Sequence, residues 1–220
     1  MLIKDITAQG LPFLHPTDTV DQAIQIMNDN LVAHLALVDA DHFIGLVSMD
    51  HLLQADDEMI ELHQLENNFI QVSVKAEDHF FKALQLAGIH SLTVVPVVGE
   101  GMEMISSVSY TDLYRELTSF LGLQEQGGLI ILERESHQFS FSEISKLVET
   151  NDAQVTQMNT ATDQQTGMTR ITIRINKPEI SDIVATFQRY DYTILFYAGE
   201  ELYANELKSN YDHLMHYLKI

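Results

Sequence analysis

Apolar and polar positions in the first half of the chain follow a pattern that occurs twice. In each occurrence a stripe of apolar residues at helical spacing precedes two short apolar runs and a serine-containing turn. Ala23 in the first stripe lies 60 residues before Ala83 in the second, and Ser48 lies 61 residues before Ser109 at the turns. A spacing this constant across helix, strand and turn predicts a duplicated structural unit.

The pattern predicts similar elements in both copies. Strands are expected where short apolar runs are bounded by polar turns, and helices where apolar residues recur every three or four positions. In the first copy we predict a helix at 20–27, strands at 32–38 and 43–47, and a helix from position 49. In the second we predict strands at 69–74, 93–98 and 104–108, and helices at 80–86 and 110–120.

After a linker at 122–128 the pattern changes to a different alternation. It predicts strands at 129–134, 155–160, 169–175 and 192–197, with helices at 142–149 and 179–190. The order β-α-β-β-α-β is typical of a ferredoxin-like sandwich, with two helices on one face of an antiparallel sheet. A last helix is predicted from an apolar stripe at Tyr203, Leu207, Tyr211, Leu214 and Leu218. The fold class is therefore α+β.

The composition favours a folded cytoplasmic protein. Hydrophobic residues make up 45% of the 220, and there is no cysteine for disulfides or thiolate metal sites. Twelve basic residues against 32 acidic ones give a net charge of −20, which repels nucleic acid and anionic membranes. No apolar run approaches the roughly 20 residues of a membrane span, and no signal-like segment opens the sequence. We expect neither nucleic acid nor membrane as a partner.

The duplicated half resembles a tandem pair of CBS domains. The resemblance is carried by the strand Pro96-Val97-Val98 and by a strand-to-helix signature, Gly-x-x-Ser/Thr-x-x-Asp-Leu, to which the second copy contributes Ser109, Asp112 and Leu113. The second half resembles an ACT domain in the order of its strands and helices. The whole arrangement is similar to CBS–ACT proteins of the acetoin-utilisation type.

The resemblance implies a small-molecule sensor that binds an adenosine-type ligand, AMP or adenosine. It implies that Asp112 holds the ribose hydroxyls, and that Ser109, Thr111 and, in the first copy, Ser48 reach ribose or phosphate. An ionised carboxylate has only acceptor sites, which suits a vicinal diol. Ser109-x-x-Asp112 is also the pattern of a helix capping box, and the sequence leaves both roles open.

The first copy is less suited to a nucleotide. It has Gly45, Ser48 and Leu52 of the signature, but His51 stands at the aspartate position and cannot accept two hydroxyl protons. Asp50 occupies the position of Thr111 and would repel a phosphate. We predict a structural first cleft, which His34 could line.

Other functions find weaker support. His213-x-x-His216 beside Asp212 has helical spacing that could hold a metal, although an exposed or interface pair is the commoner arrangement, and we assign no metal site. The turn at 133–139 lacks the glycine with which ACT domains approach an amino acid. No catalytic signature such as Gly-x-Ser-x-Gly or His-Glu-x-x-His is present, so we expect a non-catalytic protein without a cofactor.

We therefore predict CBS repeats at 1–60 and 61–121, an ACT-like domain at 128–198 and a C-terminal helix at 199–220. The predicted function is regulatory ligand sensing by a homodimer. The alternatives are a ligand-free adaptor that mediates association, or a response to amino acids or metal through the ACT-like half.

Overall fold

A capped amphipathic helix opens the first copy of the repeat in the computed structural model, which describes residues 1–6, 10–65 and 69–199. The Thr19 hydroxyl accepts a bond from the Gln22 N–H, and the Gln22 side chain accepts one from the Thr19 N–H. This reciprocal pair starts helix α1 (Val20–Asp29). The hairpin β1 (His34–Asp39) and β2 (His42–Ser48) follows, and α2 (Met49–Leu52) is a single turn.

The second copy repeats this order with longer helices. It consists of β3 (Val74–Lys75), α3 (Phe80–His90), β4 (Val94–Val98), β5 (Met104–Ser109) and α4 (Tyr110–Phe120). Both hairpins are antiparallel, and their registers match: Ser48 is opposite His34, and Ser109 is opposite Val94. Each hairpin also has an irregularity after its fourth pair, at Leu37/Val38 and Val97/Val98. The duplication predicted from the sequence is therefore present in the backbone.

The predicted strand at 69–74 is wrong for most of its length. Ile70 forms an isolated bridge with Leu46 of the first copy, and β3 begins only at Val74, where it pairs in parallel with Val97 of the second copy. The segment thus passes from one hairpin to the other and has no continuous partner. Its apolar residues reflect burial against both copies, which the pattern alone cannot distinguish from a strand.

Two short segments are exchanged between the copies. The N-terminal residues bind the second copy, where the Ile3 N–H donates to the Asp78 carbonyl at 2.9 Å and the Ile3 side chain joins the buried cluster. The segment that follows the first copy binds the first, where the Leu62 N–H donates to the Asp18 carbonyl at 2.9 Å. Each segment ends in a 3₁₀ turn, at Ile3–Asp5 and Leu62–Gln64. Each copy is therefore completed by a segment that lies outside it in the sequence.

One core joins the two hairpins. Ala36 and Leu46 from the first copy pack in the same buried cluster as Val95 and Val108 from the second. Phe80 at the start of α3 is fully buried in this cluster. The residues Met1–Phe120 accordingly form one compact unit, and Leu121–Ile220 form another.

The second unit has the βαββαβ order predicted from the sequence. Its elements are β6 (Gly128–Glu135), α5 (Phe141–Glu149), β7 (Val155–Thr162), β8 (Met168–Ile175), α6 (Ser181–Arg189) and β9 (Thr193–Ala198). The strands form one antiparallel sheet in the order β7-β8-β6-β9. Ile144 of α5 and Phe187 of α6 pack on Ile130 and Ile173 of the sheet, so both helices cover the same face.

Over the residues that the structure describes, no helix combines the length and apolarity needed to cross a membrane. The predicted helix at 199–220 lies outside these residues, apart from Gly199.

Candidate functional site

The turn from β5 to α4 brings a serine and an aspartate into mutual contact. The Asp112 N–H donates to the Ser109 hydroxyl at 3.1 Å, and that hydroxyl donates to Asp112 Oδ2 at 2.6 Å. The Ser109 N–H lies 3.3 Å from the same carboxylate oxygen. The pair is therefore a reciprocal helix cap, which is one of the two roles that the sequence left open.

Arg115 completes the surroundings of the carboxylate. Its Nη1 atom donates to Asp112 Oδ1 at 3.1 Å, one helical turn further along α4. The Asp112 side chain is only 2% exposed, whereas that of Arg115 is 55% exposed. A buried carboxylate is stable only when its oxygens are paired, and here both are.

Thr93, at the entrance to β4, lies beside this turn and links the two copies. The Tyr110 N–H donates to the Thr93 carbonyl at 2.8 Å, and the Ala33 N–H donates to the Thr93 hydroxyl at 3.0 Å. The Thr93 N–H and hydroxyl contact His34 Nδ1 at 3.3 and 3.1 Å, so this nitrogen acts as an acceptor. Desolvation lowers the pKa of the half-buried His34 imidazole below its usual value, and the charge of Asp50 opposes this shift in part. The neutral ring is therefore the form that fits these contacts.

A cavity of about 320 Å³ opens between the two copies at this turn. Its polar wall contains Ser109, Thr111, Asp112, Arg115 and Thr93, and the facing wall comes from the first copy. That second wall consists of Leu11, Asn30, Leu31 and Val32, with Tyr110 at the side. We call this space the Asp112 cavity. It lies at the lower end of the volumes typical of small-molecule sites.

Three of the four predicted ligand residues therefore line one cavity, and Ser48 does not. Ser48 caps α2, where its hydroxyl accepts a bond from the His51 N–H at 3.2 Å. The His51 ring lies 6.0 Å from that of Phe69 and lines a separate groove of about 410 Å³ with the acidic residues Asp56 and Asp57. His34 contacts Thr93 across the interface of the copies. The first copy thus presents no carboxylate at the position that Asp112 occupies in the second.

Sequence reasoning missed the apolar wall of the Asp112 cavity. Leu31 follows α1 with a positive φ of 53° and a side chain that is 93% exposed, which is unusual for a leucine. Ser91 has the same φ after α3, so the repeat spacing alone could have marked both positions as helix ends. That Leu31 lines the same cavity as Asp112 follows only from how the copies pack.

The comparisons with known proteins agree with this architecture. Residues 3–58 match the family model of the CBS domain. A CBS domain pair/ACT domain protein from Thermotoga maritima is similar in structure, with a TM-score of 0.50 and 26% identity over 55% of this chain and 99% of that one. Residues 3–58 thus belong to a CBS domain, and the first unit has the fold of a CBS domain pair. The resemblance drawn from Pro96–Val98 and from the signature at Ser109 and Asp112 is thereby confirmed.

Two further solved structures are similar to part of this chain. One is CBSX2 in complex with AMP, with 19% identity and a TM-score of 0.48 over 55% of this chain and 98% of that one. The other is a protein assigned to acetoin utilization (AcuB) from Vibrio cholerae, with 21% identity and a TM-score of 0.48 over 56% and 95%. No curated protein matches the sequence.

The second unit has a larger and more open cavity of about 690 Å³ between α5 and α6. Thr186 bonds there to Asn151 and Arg189, at 3.2 and 2.9 Å, and ties the two helices together. This cavity lies away from the turn at 133–139, where the amino-acid site was considered. The described ranges contain no cluster of three His, Cys, Asp or Glu that could hold a metal, and His213 and His216 lie outside them.

Proposed function

We propose that this protein is a non-catalytic regulator whose CBS pair binds an adenosine-type ligand, AMP or adenosine, in the Asp112 cavity. The observation that carries the proposal is the composition of the two facing walls. A buried carboxylate with three hydroxyls lies on one side, and three aliphatic side chains lie on the other. A nucleoside has the same division, because its ribose is polar and the faces of its base are apolar.

Each part of the ligand has a matching group. Asp112 is suited to accept hydrogen bonds from the ribose diol, since a carboxylate has acceptor sites only. Leu11, Leu31 and Val32 offer the apolar surface against which a purine can pack. A phosphate would be placed near Thr111 and the first turn of α4, where the helix dipole favours an anion.

We further propose that the protein acts as a cytoplasmic homodimer whose assembly responds to ligand binding. Several large apolar side chains are exposed on the single chain and could be covered by a second copy. Tyr110 and Tyr114 on α4 are both 57% exposed, and Phe196 on the edge strand β9 is 48% exposed. A closed two-fold assembly is the commonest way to cover such surfaces.

The charge of the chain favours ligands with few phosphates. Among the described residues that line the Asp112 cavity, Arg115 is the only cation, and the net charge of the protein is −20. Each added phosphate must be paired or stay hydrated. We expect adenosine or AMP to bind more tightly than ATP, with a gap that narrows at high salt as the field is screened.

Titration calorimetry with AMP and adenosine tests the proposal. Asp112→Asn keeps the shape of the side chain but removes its charge, and should weaken both ligands by about tenfold or more, because charge-assisted hydrogen bonds to the diol are lost. Asp50→Asn makes the same change of charge on an exposed residue at the equivalent turn of the first copy, and should bind as the parent does.

Two outcomes would contradict this function. Loss of binding in Asp50→Asn alone would place the ligand in the other copy. If neither nucleoside binds the parent protein or raises its melting temperature, the proposed adenosine-type function is wrong.

A further inference from the structure

The acceptor atoms that a ribose would use are already occupied in the structure. Asp112 Oδ1 accepts from Arg115 Nη1, while Oδ2 accepts from the hydroxyl of Ser109 at 2.6 Å and faces its N–H at 3.3 Å. A carboxylate has about four acceptor positions, so three of them have donors. With 2% exposure, the side chain also offers almost no free surface. Because Ser109 supplies both donors on Oδ2, the two ribose hydroxyls can bind only at Oδ1, and they can do so together only if Arg115 leaves it.

Arg115 is the donor best able to leave. Ser109 is the last residue of β5 and is held in place by the pairing of that strand. The Arg115 side chain is 55% exposed and bonds to Asp112 from one turn away on α4. The guanidinium can thus move into solvent without being desolvated, and the ribose hydroxyls replace the hydrogen bond that it gave to the buried carboxylate. The guanidinium also lines the Asp112 cavity, where it stays near the ligand after it moves.

We propose that Arg115 determines whether the cavity prefers a phosphorylated or an unphosphorylated nucleoside. This inference rests on the proposed function of the Asp112 cavity. When the ribose binds, its hydroxyls replace the guanidinium on Asp112, and the guanidinium moves toward the position of a 5′-phosphate. Adenosine gives the displaced cation no new partner, whereas AMP provides an anion that a guanidinium binds with two parallel hydrogen bonds.

The substitution Arg115→Met should change the affinities for adenosine and AMP differently. It removes the competitor for Asp112, so adenosine should bind equally well or up to about fivefold more tightly, as expected when one competing hydrogen-bond donor is removed. AMP should bind about tenfold more weakly, because the charged hydrogen bonds to phosphate are lost. The preference for AMP over adenosine should thus fall by about tenfold or more. A residue that serves only to stabilise α4 would change both affinities by the same factor.

Lys82→Met is the matched control. Lys82 lies in the same unit, pairs with Asp78 at 2.7 Å and does not line the cavity, so its removal changes the net charge equally. Equal changes for adenosine and AMP in Arg115→Met, or the same loss of AMP affinity in Lys82→Met, would overturn the proposal.

A second variant covers the case in which Arg115→Met fails to fold because Asp112 loses its cation. Arg115→Lys keeps the charge but not the planar group, and should lower the preference for AMP by about threefold. An unchanged preference in Arg115→Lys would also overturn the proposal. If the parent protein binds neither nucleoside, it is the proposed function that fails. This result differs from the two outcomes above, in which the parent protein binds a nucleoside.

Discussion

Ser109→Ala should destabilise the first unit more than Ser48→Ala, although both remove a hydroxyl that caps a helix. The Ser48 hydroxyl accepts one bond, from the His51 N–H at 3.2 Å. The Ser109 hydroxyl accepts a similar bond, from the Asp112 N–H at 3.1 Å, but also donates to the buried carboxylate of Asp112 at 2.6 Å. The two equivalent positions of the repeat thus differ by one charge-assisted hydrogen bond.

The size of the difference follows from these contacts. Loss of a serine cap costs about 1 kcal/mol, which we expect for Ser48→Ala. A hydrogen bond to a charged group contributes about 1.5–3 kcal/mol, and its loss leaves part of a buried carboxylate without a donor. We therefore expect the free energy of unfolding to fall by about 3 kcal/mol in Ser109→Ala. The excess over Ser48→Ala should be about 2 kcal/mol.

Urea unfolding followed by far-ultraviolet circular dichroism measures both variants. Both serines belong to the unit Met1–Phe120, so the same transition reports on them. Ser109→Thr keeps the hydroxyl, so its free energy of unfolding should fall much less than that of Ser109→Ala. This variant controls for effects of side-chain volume. If the two alanine variants lose equal free energy at an unchanged denaturant slope, the 2.6 Å bond contributes nothing net and the reasoning is refuted.

Three further outcomes are expected. Because burial lowers the pKa of His34 in the folded state, its contribution to stability is complete above the unfolded value near 6.5 and is lost as the pH falls below it. His34→Gln should therefore reduce the difference in unfolding free energy between about pH 7.5 and about pH 5.5, and an unchanged difference would contradict this. Calorimetry should show one nucleotide per chain, abolished in Asp112→Ala and retained in His51→Ala, and two equal sites would disprove the asymmetry. Light scattering at micromolar concentration should give twice the chain mass, and a monomer there would exclude the homodimer.

Local signals predicted much of the fold. The helix at Tyr110–Phe120 was predicted with its observed bounds, because a serine cap and an amphipathic pattern coincide there. The hairpins were predicted within two residues at each end. The strand at 69–74 was wrong because burial between two partners produces the same apolar run as pairing with one.

The candidate site was predictable only on its polar side. Ser109, Thr111 and Asp112 are adjacent in sequence and lie on one turn, so a motif could find them. Leu31 and Thr93 belong to the same cavity but come from distant segments, and they meet only through the packing of one copy on the other. Arg115 follows Asp112 by three positions in the sequence, yet its bond to Asp112 depends on rotamers that no sequence pattern specifies.

The exchange of short segments between the copies bears on how the molecule arose. Residues 2–4 complete the second copy and residues 61–63 complete the first, each through bonds to equivalent backbone positions. A dimer of two identical chains with exchanged N-terminal segments would have this arrangement if a gene fusion joined the chains head to tail. A fragment of residues 1–60 would contain the segment 2–4, which completes the second copy. It would lack the segment 61–63, which completes the first copy. Neither copy is therefore complete without the other, and the smallest unit in which this fold can be complete is the pair.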